Sequence, residues 1–169
     1  MRKPVGAVAV LAAVISVLAA PGPAAGATRA KDILPAEGLI ASSVAALRDQ
    51  AALNAQYYLA DEDVLGLGRK TDAVLARYRT GPRESLLLVV IYPTAEAAGR
   101  VFVRFGADFF PDNFDPKSPR VVKRIETGDW AGAARKGRVL IIVLESPDRD
   151  SCDGLLQRAE QKVPAPPVG

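Results

Sequence analysis

Residues 86–93 read LLLVVIYP, and residues 94–109 continue TAEAAGRVFVRFGADF. The first stretch is an unbroken apolar run closed by a proline, which predicts a strand buried on both faces. Pro93 ends it, because proline has no N–H to give a ladder. Thr94 then stands where a hydroxyl can accept from a free helical N–H, and Glu96 lies near the positive end of the helix that follows. Ala98, Val101, Phe102, Phe105 and Phe109 recur at helical spacing and form its apolar stripe.

The same pattern returns 54 residues later. Leu86 to Val90 falls on Leu140 to Leu144, Pro93 on Pro147, and the helical stripe on Cys152, Leu155, Leu156, Ala159 and Val163. Each copy follows a glycine-containing turn and a strand of alternating or small residues. Working outward, residues 73–80 alternate, with Val74, Ala76 and Tyr78 on one face and Leu75, Arg77 and Arg79 on the other, which predicts a strand with one wet face. Residues 121–126 and 130–134 predict two more strands around the Thr127-Gly128-Asp129 turn. Residues 64–68 read as a short strand weakened by Gly66 and Gly68. Ile40, Val44, Leu47, Ala51, Ala55 and Tyr58 are spaced as one stripe of a further helix running from Ser42 or Ser43 to about Ala60. The expected fold is α+β. It has an antiparallel sheet of four to six strands, two helices packed on one face, pseudo-repeated strand–strand–helix halves, and an N-terminal helix ahead of them.

The first 27 residues stand apart. Arg2 and Lys3 precede a nearly unbroken apolar run over residues 5–20, then Pro21, Pro23 and the small residues Ala25-Gly26-Ala27. This is the layout of a cleavable secretory signal, and the run is short for a spanning helix, which needs about 20 apolar residues. The expected organisation is a signal peptide over 1–27, one domain over 28–163, and a disordered tail over 164–169. The expected location is periplasmic or secreted, with no membrane attachment after cleavage. An uncleaved anchor is the alternative.

Both Arg2 and Lys3 lie in that segment and no acidic residue does. The remainder of the 22 Lys+Arg and 19 Asp+Glu is nearly balanced. That gives no clustered positive field for a nucleic acid. The single cysteine, Cys152, leaves an exported chain without an internal disulfide, and its place in an apolar stripe makes it a core residue. The chain has no histidine. This excludes Ser-His-Asp and Cys-His nucleophile systems, His-containing zinc sites and His-ligated haem. No cofactor is expected.

Four groups could carry chemistry. Arg77, Arg79 and Arg83, with Tyr57, Tyr58, Tyr78 and Trp130, could line a site for an anionic or glycan ligand, or simply keep an outer strand soluble. Asp108, Asp112, Asn113 and Asp115 gather three carboxylates and an amide in eight residues, the oxygen ligands calcium prefers, or a plain polar loop. The window 61–72 opens like a calcium loop but has Leu65 at its fifth position and Asp72 at its last. Gly66-x-Gly68-Arg69-Lys70 lacks the spacing of a phosphate-binding loop.

Residues 33–38 (ILPAEG), 68–78 (GRKTDAVLARY) and 89–98 (VVIYPTAEAA) together resemble a family of exported bacterial domains of unknown function. In that group a Leu-Pro lead-in precedes a Tyr-ending strand and a strand–Pro–helix unit. The resemblance implies export and an α+β fold, and it brings no catalytic residues. The functional expectation is a non-catalytic exported domain that binds an envelope partner or a small ligand. The alternatives are a carboxylate-dependent hydrolase without histidine, or a calcium-binding module on the 108–115 loop.

Overall fold

The computed structural model describes residues 27–112 and 114–165. Nearly all of the expected signal segment, most of the tail, and Asn113 lie outside the described residues. The elements in chain order are β1 (Ala45–Leu47), α1 (Gln50–Asn54), β2 (Asp72–Arg79), β3 (Glu84–Ile91), α2 (Ala95–Phe109), β4 (Arg120–Arg124), β5 (Trp130–Lys136), β6 (Val139–Ser146) and α3 (Arg149–Lys162). The strands form one antiparallel six-stranded sheet in the order β1-β2-β3-β6-β5-β4. The fold is α+β. The two apolar runs, β3 and β6, are the paired strands at its centre.

Each of these strands feeds both faces of the sheet. Leu86, Leu88, Val90, Leu140, Ile142 and Leu144 belong to one buried cluster, and Leu87, Val89, Ile91, Val139, Ile141 and Val143 to another. Helix α2 covers the first face with Ala98, Phe102 and Phe105. Helix α3 covers the second with Cys152, Leu155, Leu156 and Ala159. The expectation that both helices share one face is therefore corrected. The physical reason lies in the strands themselves. A run with hydrophobic side chains pointing alternately up and down must be covered on both sides. The 54-residue match survives as pattern, because Thr94 and Asp148 cap the two helices by accepting from the Ala97 and Ser151 amides. It is not a symmetry. A two-fold axis between antiparallel neighbours, normal to the sheet, would put both helices on one face.

The rest of each face is covered by irregular chain. On the α3 side, Ala30, Ile33 and Leu34 from a 3₁₀ turn (Ala30–Ile33) complete the layer. Arg120 ties β4 to α3 through Asp153 and Glu160, and Lys136 donates to the carbonyl oxygens of Glu160 and Val163 at its end. On the α2 side, Leu53, Leu59, Val64, Leu65 and Leu67 are buried.

The expected helix over 42–60 and strand over 64–68 are both replaced. Asp49 accepts from the Ala52 amide at 2.8 Å and starts a helix of only five residues. Ahead of it β1 pairs with β2, leaving Val44 and Tyr58 of the supposed stripe exposed. The segment after α1 is a loop held at fixed points: Asn54 bonds Ala60 and Leu59, and the Tyr92 hydroxyl donates to the Leu65 carbonyl at 2.7 Å. Gly66, at φ 62°, supplies the left-handed turn that allows Leu65 and Leu67 both to point inward. Pairing with β1 also buries Leu75 of β2, so the strand face expected to be wet is only partly so.

Helix α3 approaches β5 closely over Gly132. A Cβ there would lie 2.8 Å from Leu156 Cδ1 and 2.9 Å from the Val121 carbonyl oxygen. Gly132→Ala is expected to destabilise the fold by about 1–3 kcal/mol, as overpacking does. Gly99 in the middle of α2 meets nothing within 4 Å, and Gly99→Ala is expected to stabilise by roughly 0.5–1 kcal/mol. Thermal or urea denaturation of the two variants checks both signs.

Candidate functional site

The site forms where β6 ends. The register there slips: Leu87 pairs with Val143 but Leu86 pairs with Glu145, and on the other side Gly132 pairs with Val143 but Trp130 with Ser146. Leu144 is the extra residue of a β-bulge. Bulges re-aim side chains, and this one turns two consecutive residues toward the α2 face. Leu144 packs in the α2-side cluster, and Glu145 stands opposite Leu86 of that same cluster.

Two recesses flank this bulge, the larger lined by Leu144 and the smaller by Glu145. The larger, of about 460 Å³, lies beneath the C-terminal end of α2. Its floor is Ala131, Ile142 and Leu144, and its wall is Phe105, Phe109, Phe110 and Tyr57. The three phenylalanines brace one another. Phe105 and Phe109 stack at 4.5 Å between centroids, and Phe105 and Phe110 meet edge-on at 6.0 Å. Offset and edge-on contacts of this kind hold rings in fixed places. The rim carries Asp108, Asp112 and Glu126 with Lys123 and Arg124. The smaller recess, of about 350 Å³, is polar, with Arg77, Arg83, Glu84, Asp129 and Glu145 around it.

Most of these charges are spoken for. Arg83 pairs with Asp129 at 2.5 Å, Arg77 with Glu84 at 3.7 Å, and Lys123 with Asp112 at 3.6 Å. The β4–β5 turn sets Asp129 in place. Gly128 takes φ 91°, and the Ile125 amide donates to the Asp129 carbonyl. Tyr57 lies within electrostatic reach of the smaller recess. It lines the larger one, and its phenol is held above the ordinary value first by burial and then by the charges of Glu145 and Asp129. It therefore stays protonated, with a hydroxyl that can both donate and accept.

The expected site residues are dispersed. Arg77 and Arg83 do meet, in the polar recess. Tyr78 does not join them: it is fully buried on the α3 face, and its hydroxyl donates to the Pro35 carbonyl at 2.9 Å. Arg79 turns to a separate shallow recess beside residues 38–42. Trp130 packs on the α3 side, with the Arg149 guanidinium 5.8 Å above its ring. Asp108 and Asp112 reach the rim of the larger recess, whereas Asp115 accepts from its own loop at the Lys117 amide. Asn113 lies outside the described residues. Among those described, no three acidic or cysteine side chains gather where a metal ion could be held.

Asp63 accepts from the Leu67 amide and Asp72 from the Ala30 amide, so the 61–72 window serves the loop's own backbone. The Cys152 thiol is buried, and burial pushes its pKa up to about 12. Glu145 was not singled out by sequence reasoning. It follows an apolar run with no turn signal, and only a cross-strand register could reveal its direction. Phe109 was read as sheet-facing core, and it is half-exposed in the cavity wall.

Compared with known proteins, the chain matches no family model, no curated protein and no solved structure. No helix of the described residues is long and apolar enough to cross a membrane.

The link between Tyr57 and Glu145 is testable by itself. In a pH titration followed at the tyrosine ring by NMR, Tyr57 is expected to titrate above the usual tyrosine value of about 10. Glu145→Gln, which removes one of the two charges acting on it, should move that midpoint down. An unchanged midpoint would separate the two side chains.

Proposed function

We propose that this is an exported, non-catalytic binding domain that holds a small ligand in the cavity beneath the C-terminal end of α2. The observation that carries the reading is the cavity itself. It has an apolar floor, a wall of braced aromatic rings and a polar rim, the composition usual for small-molecule sites. Its volume is within the range of ligand pockets, about 300–1,000 Å³. Both sheet faces carry a helix, which favours a small ligand over an envelope partner docking on the sheet. The leader-like residues 1–27 and the resemblance to exported bacterial domains support a periplasmic or secreted location. The absence of histidine supports binding rather than nucleophilic hydrolysis.

The test is a screen of small aromatic fragments against the full chain by protein-observed NMR. Hits are expected at about millimolar affinity. They should shift the amides of Phe109, Phe110, Ile142 and Leu144 together. Ala131→Leu narrows the floor, and it should weaken the same fragments about tenfold or more while the remaining spectrum holds. Hits scattered over the surface, or indifferent to Ala131→Leu, would overturn the reading.

A further inference from the structure

The charge around the two recesses runs against the rest of the chain. Outside the leader-like segment, which holds Arg2 and Lys3 of the 22 basic residues and none of the 19 acidic ones, the two signs are nearly balanced. Here six carboxylates (Glu84, Asp108, Asp112, Glu126, Asp129 and Glu145) face only four cations. Three of those cations are engaged with Glu84, Asp112 and Asp129. The fourth, Arg124, directs its Nε–H to the Gly128 carbonyl. Glu145, Asp108 and Glu126 have no ion-pair partner within 4.0 Å among the described residues.

A second feature has the same sign and a different origin. Helix α2 ends at the cavity, and its last turn contains no basic residue. The C-terminal end of a helix carries about half a negative charge from its free carbonyl groups, and a cation placed there is favoured. The third feature is aromatic. Of the chain's ten Phe, Tyr and Trp residues, four line this single cavity. Ring faces attract cations and accept apolar bodies equally well.

We propose that the ligand is an organic cation: a flat or ring-sized apolar body bearing a protonated amine. The body rests on Phe105, Phe109 and Leu144, and the ammonium group points to Glu145 and the Tyr57 hydroxyl. The bulge is what makes this geometry, since it places an apolar contact and a carboxylate side by side on one face. An anionic or glycan ligand, the expectation attached to Arg77 and Arg83, fits less well, because both arginines already hold carboxylates. This inference rests on the cavity being a ligand site.

The test uses three probes of one shape, naphthylmethylamine, naphthylmethanol and naphthoate, titrated into the full chain and followed by NMR at the cavity amides. The amine is expected to bind roughly three- to tenfold tighter than the alcohol, the scale of a charged hydrogen bond with a cation–π contact. Naphthoate should be the weakest of the three. Glu145→Gln should bring the amine close to the alcohol and leave the alcohol unchanged. Should Glu145→Gln disturb the spectrum as a whole, Asp108→Asn at the end of α2 reads the same charge, with a smaller loss for the amine alone. If alcohol or naphthoate binds in the cavity as tightly as the amine, the cation is overturned and the cavity reading stands. If none of the three shifts the cavity amides, both fall.

Discussion

The structure depends on a constraint carried by two strands. β3 and β6 lie side by side at the centre of the sheet, and nearly every residue in them is buried. Each large aliphatic side chain taken from water contributes about 1.5–3 kcal/mol, so this pair supplies much of the driving force for folding. Because alternate residues point to opposite faces, half of that contribution requires a cover above the sheet and half a cover below. α2 and α3 provide them, one on each side, and the loop after α1 and the 3₁₀ turn at Ala30–Ile33 fill what the helices leave bare.

The same constraint explains why the site is where it is. A strand that must bury both faces has no room for a charge along its length. At the end of β6 the bulge changes the alternation, and Leu144 and Glu145 emerge on the same side. One step further Ser146, back on the other side, meets Ser85 at 2.8 Å, so the polar atoms on that face satisfy each other. Among the described residues Glu145 has no ion-pair partner within 4.0 Å. Its side chain stands at the mouth of a recess rather than within the core, where an unpaired polar group would be costly.

The central strands, the turns around Gly81, Gly128 and Gly137, both long helices and the Thr94 cap could be read from residues alone, because each is a local signal. The apolar runs, the Thr94 cap and the stripes through Phe102 and Leu155 need nothing beyond their own neighbours. What could not be read depends on pairing. The residues from Ile40 to Tyr58 carry a helical spacing, yet β1 gains a ladder with β2 and a second stretch of buried backbone, and tertiary pairing outweighs that spacing. The two-sided burial of the sheet was implicit in the apolar runs themselves. A single stripe on each helix suggested a shared layer, but a sheet apolar on both faces needs two. The site was partly visible: Arg77, Arg83, Tyr57, Asp108 and Asp112 reach it. Tyr78 and Trp130 were drawn in by their chemistry, and strand parity sends both to the opposite face.

The cavity persists because its walls are held by contacts that do not depend on one another. Phe105 is anchored in the core through α2, Leu144 through the sheet, and Tyr57 by a loop fixed at Asn54, while the β4–β5 turn has its own internal hydrogen bonds. Collapse would require a packed helix to sink toward a sheet already in register, and Gly106 shows how little slack there is. A Cβ at that position would overlap the Phe114 ring, 2.1 Å from its nearest atom, so the space beside α2 at Gly106 is already filled. The helix can move neither inward past its own core contacts nor sideways past Phe114. An opening kept by rigid neighbours costs no ordering when something enters it, which is the condition under which a modest set of aromatic and charged contacts suffices for binding.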